Sequence, residues 1–212
     1  MLFRNRADAG EKLAESLGKY RGKNVVVYGL PRGGVVTASA IARKLNVPLS
    51  IVIARKIGHP QEREYAIAAV SENGKIVKNE EEIEKAGKVW FRKQVQRQKK
   101  EAKRRREKYF KGKKPISPRG KIAIIVDDGV ATGLTLRAAI SEIKGMKPKK
   151  IIVAVPVIPE ETADKVRKAV NELVCLLKPK KGKFLGAVGS YYNEFFPVVD
   201  DEVIYLLGES LR

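Results

Sequence analysis

Residues 122–135 read IAIIVDDGVATGLT, and the rest of the chain can be placed around them. An apolar run of strand length, rich in β-branched residues and closed by polar ones, is the pattern of a strand buried on both faces. Asp127 and Asp128 follow at its carboxyl end, the edge at which open parallel sheets bind ligands. Ala131, Thr132, Gly133, Leu134 and Thr135 then open a helix. Its first N–H groups and positive dipole suit an anion, small residues let a phosphate approach closely, and Thr132 and Thr135 add hydroxyl donors. The carboxylates cannot serve that phosphate. They are acceptors, and the two hydroxyls of a ribose form a matching donor pair at this distance. A ribose 5-phosphate fits the whole stretch. Two acids alone would more simply end a strand; the small-residue loop behind them favours the ligand.

Outward from this stretch, apolar runs alternate with helical patterns. Residues 24–29 (NVVVYG), 49–55 (LSIVIAR), 121–127, 150–157 and 172–177 read as strands, and 34–45, 134–145 and 160–170 as helices. Strand, helix, strand repeated in this way predicts an α/β fold with a doubly wound, mainly parallel sheet. Residues 56–120 are too long for a simple crossover. Within them EYAIAAVSENGKIVKN reads as a hairpin turning at Asn73-Gly74. Asn79 with Glu82 three residues later is a capping-box pattern for a helix running to about Phe110. The expectation is a single domain over 1–212, with a hairpin-plus-basic-helix insertion at about 57–118 and a small C-terminal hood or flap at about 179–212.

The 212 residues hold 44 Lys and Arg against 24 Asp and Glu, a formal charge of +20. Residues 92–114 carry thirteen of the basic residues with only Glu101 and Glu107 as acids, a local +11. Such an array suits the phosphates of a nucleic acid; a solvated helix face, or heat adaptation, accounts for it equally well. No run of about 18 apolar residues is present and the first residues are polar, so no membrane partner is expected and the reading is of a soluble, cytoplasmic protein. Cys175, the one cysteine, lies in an apolar strand and reads as a buried thiol. There is no Gly-Lys-Ser/Thr phosphate loop, no G-x-G-x-x-G after the first strand, and no dedicated metal cluster.

IIVDDGVATGLT (124–135) resembles the 5-phosphoribosyl-1-diphosphate (PRPP) motif of type I phosphoribosyltransferases: an apolar strand, two acids, a short gap, then Thr-Gly-x-Thr. FRNRADAGEKLAESL (3–17), YGLPRGGV (28–35), ARKIGHPQEREYAIAAVSENG (54–74) and AVGSYYNEF (187–195) are similar to one branch of predicted phosphoribosyltransferases. The resemblance thus touches most of the chain. It implies transfer of the phosphoribosyl group to a nucleobase-like acceptor in nucleotide metabolism, such as purine or pyrimidine salvage, and a homodimer. It also implies a Mg²⁺ carried with PRPP rather than ligated by the protein.

Carried over residue by residue, Asp127 and Asp128 would accept from the ribose hydroxyls and residues 131–135 would hold the 5′-phosphate. Arg32, Gly33 and Gly34 would form the diphosphate loop, which read alone is also a plausible plain turn. Arg55 and Lys56, at the end of the expected second strand, could reach the diphosphate or form a solvated rim. Glu64 is the candidate general base. His59, a lone histidine before a proline, reads as incidental. Tyr191 and Tyr192, with Phe195 and Asn193, could stack on and read the base, or pack a flap. A non-catalytic alternative keeps the PRPP site and binds nucleic acid through residues 92–114.

Overall fold

The computed structural model describes residues 2–62, 65–112 and 114–210. In chain order the elements are α1 (Arg6–Ser16), β1 (Val25–Gly29), α2 (Gly33–Leu45), β2 (Leu49–Ile51), β3 (Ala54–Gly58), β4 (Ala66–Ser71) and β5 (Ile76–Lys78). Then come α3 (Glu80–Ala86), α4 (Lys88–Phe110), β6 (Ile122–Val126), α5 (Leu134–Gly145), β7 (Lys150–Val157), α6 (Glu160–Arg167), β8 (Glu172–Leu177) and α7 (Asp200–Ser210). Five strands form a parallel sheet in the order β2-β1-β6-β7-β8.

The apolar runs are continuous because both faces of this sheet are covered. Val25, Val27, Ile124, Val126, Ile152 and Ala154 pack with α1, α2 and α7. The alternate residues Val26, Tyr28, Ala123, Ile125, Val153 and Val155 pack with α5 and α6. Register across the centre is in step, with Val25 opposite Ile122 and Gly29 opposite Val126. The ends of β1 and β6 therefore lie side by side, and the loops that follow them must meet.

The expected strand 49–55 is two strands in two sheets. Val52 N–H donates back to the Gly29 carbonyl of β1 at 3.2 Å, while the Ile53 carbonyl accepts from Glu72 N–H at 3.1 Å. The chain thus changes sheets with one backbone group of the switch bonded to each sheet. β3 pairs antiparallel with β4, and β4 with β5, giving a second sheet β3-β4-β5. The expected hairpin is β4–β5, whose turn has Gly74 at φ +89°. The expected single helix after Asn79 is broken at Gly87, φ +91°, into α3 and α4. Asn79 stands at the N-cap but its side chain makes no capping bond, and Glu82 pairs with Lys85 at 2.7 Å instead. The long basic helix does end at Phe110.

Beyond β8, residues 187–195 return to the N-terminal segment. Phe3 N–H donates to the Tyr191 carbonyl at 2.8 Å, and Asn193 N–H to the Phe3 carbonyl at 2.8 Å. α7 belongs to the core rather than to a hood, with Val203 and Leu207 buried against the α2 side of the sheet. Among the described residues no helix is long and apolar enough to cross a membrane.

Candidate functional site

Two loops meet at the carboxyl ends of β1 and β6. The first is Leu30-Pro31-Arg32-Gly33-Gly34, whose Leu30 N–H bonds the Val126 carbonyl at 2.9 Å. Its Pro31–Arg32 peptide is cis. The second is residues 127–133, in which Asp127 Oδ1 accepts from Asp128 N–H at 2.9 Å. The contact between them leaves no room for side chains on the glycines. A Cβ on Gly33 would stand 1.9 Å from Asp128 Oδ2, and one on Gly34 would stand 2.8 Å from Asp127 Oδ1 and 2.9 Å from the Val126 carbonyl. The sequence-predicted ribose acids and diphosphate loop are thus one surface.

Past the acids, Gly129 (φ +154°) and Gly133 (φ +73°) take backbone angles that suit glycine, and Gly133 is the N-cap of α5. The N–H groups of residues 131–135 make no hydrogen bond to any described residue. Thr162 Oγ1 donates to the Ala131 carbonyl at 2.9 Å, so that oxygen has a partner of its own. The result is a cradle of free donors at a helix start, the arrangement that binds a phosphate. It borders a cleft of about 690 Å³, whose walls include Thr132, Arg137, Thr162, Lys165 and Phe184.

The two acids have different surroundings. Burial, and then the charge of Asp128, hold the Asp127 carboxyl well above the usual carboxylate range. Asp128 Oδ2 accepts instead from Arg6 Nε at 2.7 Å. No sequence pattern assigns Arg6 to the site. It lies at the start of α1, 122 positions from its partner, and no local pattern reports so distant a contact. The only cue is that FRNRAD starts a helix, with Asn5 Oδ1 capping Asp8 N–H at 3.1 Å.

The expected cations occupy several elements. Arg32 stays half-exposed, 3.8 Å from Asp200 of α7. Arg55 and Lys56 lie on β3, in the second sheet, and not at the end of a core strand as expected. Arg55 Nε donates to Gln98 of α4 at 3.2 Å. Burial first, then the charge of Arg105, lower the Arg55 proton affinity, and Arg32 contributes in the same direction. Lys56 lines a separate groove of about 350 Å³ with Arg55, His59, Trp90 and Arg97. His59 Nδ1 accepts from Gln61 N–H at 3.3 Å, within its own loop. Glu64 lies outside the described residues.

Tyr191 and Tyr192 are 6% and 7% exposed, so neither offers a free ring face. Tyr191 packs on Phe184, and Tyr192 between Phe3 and Phe195, because residues 187–195 zip onto the N-terminal segment. Tyr192 Oη donates to the Asp128 carbonyl at 2.5 Å. The exposed aromatic here is Phe196, at 74%. Among the described residues no group of three or more His, Cys, Asp or Glu side chains could hold a metal ion.

Residues 2–192 match the family described as the phosphoribosyl transferase domain. Two Mycobacterium tuberculosis proteins, from strains CDC 1551 and H37Rv and both named as presumed phosphoribosyl transferases, are 38% identical over 100% of this chain and 47% of theirs. The chain spans about half the length of these curated relatives. The protein TT1426 from Thermus thermophilus is 37% identical and superposes with a TM-score of 0.80 over 99% of both chains. The purine phosphoribosyltransferase of Pyrococcus horikoshii shares the fold at 20% identity, with a TM-score of 0.50 over 93% of this chain and 96% of that one. With the paired acids, the adjoining glycine loop and the open helix start in place, the chain belongs to the phosphoribosyltransferase family.

Proposed function

We propose that the protein binds PRPP with Mg²⁺ and transfers the 5-phosphoribosyl group to a ring nitrogen of a nucleobase-like acceptor, releasing diphosphate. The observation that carries this reading is the direct packing of Gly33 and Gly34 on Asp127 and Asp128. Ribose acceptors and diphosphate donors that touch are what one PRPP molecule needs.

The 5′-phosphate takes the open N–H groups of residues 131–135, and the carboxylates of Asp127 and Asp128 accept from the ribose hydroxyls. Gly33 and Gly34 bring backbone N–H groups to the diphosphate, while Arg32 and Arg55 meet its charge. As the C1–O bond breaks, its electron pair leaves with the diphosphate, and the acceptor nitrogen's lone pair forms the new C1–N bond. Preorganised donors and cations around the leaving group lower the barrier by stabilising that growing charge. Mg²⁺ carried with the substrate would add further neutralisation of the diphosphate. Glu64 is the proposed receiver of the acceptor's proton. The exposed ring of Phe196 is a stacking face available to the base. The setting proposed is a cytoplasmic homodimer.

The test is diphosphate release from MgPRPP in the presence of each common nucleobase in turn. Release prompted by one base, abolished in Asp128→Asn, supports transfer. Saturable PRPP binding with no release under any base refutes it.

One observation favours a second, nucleic-acid-binding reading. Arg92, Lys93, Arg97, Lys99, Lys100 and Lys103 of α4 form no ion pair with any described residue. Binding of a single-stranded RNA whose affinity falls steeply with salt, and which Lys100→Glu with Lys103→Glu weakens, would support it. Salt-independent or absent binding would remove it.

A further inference from the structure

Arg6 is anchored at three points by parts of the chain distant from one another. Its Nε meets Asp128 Oδ2 at 2.7 Å, its Nη1 donates to the Phe196 carbonyl at 2.8 Å, and its guanidinium carbon lies 3.7 Å from the centre of the Phe195 ring. The Arg6 and Asp128 side chains are only 11% and 16% exposed. Phe195 stacks in turn on Tyr192, 4.9 Å between ring centres, and Tyr192 Oη holds the Asp128 backbone carbonyl. Both ends of Asp128, carboxylate and carbonyl, are thus fixed by groups outside its own strand. The N-terminal segment carrying Arg6 is itself bound to residues 191–194, with Glu194 N–H donating to the Arg4 carbonyl at 2.9 Å.

We infer that Arg6 is a positioning residue: it aims the Asp128 carboxylate at the ribose hydroxyls and ties that carboxylate to the C-terminal segment at Phe195 and Phe196. The inference rests on the PRPP reading of the site. A carboxylate has about four lone-pair sites. The contact with Arg6 Nε takes one at Oδ2, so Arg6 by itself does not exclude a ribose diol. Arg6 need not leave for the ligand to bind. Its removal frees the carboxylate to rotate and leaves it without a counter-charge in a part-buried position, which costs affinity for any ligand that uses Asp128. A ligand that uses only the glycine loop keeps that loop's own N–H donors and is expected to lose far less.

The test is calorimetric titration of the full chain with three probes: MgPRPP, ribose 5-phosphate and magnesium diphosphate. The proteins are wild type, Arg6→Gln, Arg6→Lys, Asp128→Asn and the Arg6→Gln/Asp128→Asn double variant, with melting temperatures as a folding control. Arg6→Gln is expected to weaken PRPP and ribose 5-phosphate about tenfold while leaving diphosphate within about twofold. Arg6→Lys keeps the charge and is expected to recover part of the loss. The double variant is expected to bind ribose 5-phosphate no worse than Asp128→Asn alone, because Arg6 acts through Asp128. Equal weakening of diphosphate and ribose 5-phosphate would overturn the inference, since Arg6 would then support the loops generally or touch the diphosphate itself. So would losses that multiply in the double variant, or tighter binding in Arg6→Gln. A wild type that binds neither ribose ligand but binds diphosphate refutes the PRPP reading itself, and the role of Arg6 falls with it.

Discussion

Gly33→Ala and Gly34→Ala add the same methyl group one residue apart, and the structure predicts different kinds of damage. Neither glycine has a positive φ, so the consequences come from space alone. At Gly34 the new Cβ meets main chain, the Asp127 Cα at 2.9 Å and the Val126 carbonyl at 2.9 Å. These atoms end the central strand β6 and cannot give without moving it. Overpacking of this kind costs about 1–3 kcal/mol. For a chain of this size each kcal/mol lowers the melting temperature by about 2–4 °C, so Gly34→Ala is expected to melt about 2–12 °C below wild type. At Gly33 the Cβ meets side-chain atoms, Asp128 Oδ2 at 1.9 Å and Arg6 Nε at 2.7 Å. Side chains can swing away without moving β6, so the cost to stability is limited to loss of the Arg6–Asp128 pair, about 1–3 kcal/mol. The displaced carboxylate would lose the charge-assisted hydrogen bonds proposed for it to the ribose, worth about 1.5–3 kcal/mol. That corresponds to an affinity for MgPRPP reduced about 10- to 150-fold. Differential scanning calorimetry and titration of both variants separate the two effects. A Gly34→Ala protein as stable as wild type, or a Gly33→Ala protein with undiminished affinity, would refute the packing argument.

The two acids should respond oppositely to amidation. Asp127 has its carboxyl raised by burial and by Asp128, so its charged form weighs against the fold. Asp127→Asn is expected to raise the melting temperature at neutral pH, and the gain should vanish near pH 3, where the carboxyl is protonated folded or unfolded. Asp128→Asn breaks the Arg6 pair and is expected to lower stability by about 1–3 kcal/mol; equal shifts in the same direction would contradict this assignment. Beside the glycine loop, where Asp200 lies 3.8 Å from Arg32, hydrogen bonds from Lys108 and Tyr109 hold Asp200 down at about 2, and those from Arg104 and Arg105 do the same for Glu101. Both pKa values are depressed, so their contribution is full above about pH 5 and is lost as pH falls towards 2. Urea melts should therefore show Asp200→Asn less stable than wild type at pH 7 and equal to it near pH 2; a gap unchanged by pH would rule out the ion-pair account.

Sequence pattern reveals those features whose cause is local or repeats along the chain. Strands β1, β6 and β7 are legible because burial on both faces leaves each an unbroken apolar run, and the half-buried edge strand β8 keeps the same pattern. The turn at Asn73-Gly74 is legible because a positive φ calls for glycine. The split of residues 49–58 between two sheets is not, since LSIVIARKIG is apolar and β-branched across the switch at Val52–Ile53; only the partners Gly29 and Glu72 reveal it. Gly87 sits between two helical patterns and gives no cue that α3 and α4 separate there. At the site, the acids, the glycine loop and the open helix start each lie within a few contiguous residues. Arg6 becomes visible only when the fold brings α1 to β6. Tyr191 and Tyr192 look like stacking faces because sequence shows aromatic character but not which side of a ring is covered.

The most direct test of the central claim is a crystal structure of the protein with MgPRPP. The 5′-phosphate is expected on the N–H groups of residues 131–135, the ribose hydroxyls on Asp127 and Asp128, and the diphosphate over Gly33 and Gly34. A ligand bound elsewhere, or an empty site at saturating MgPRPP, would contradict the account.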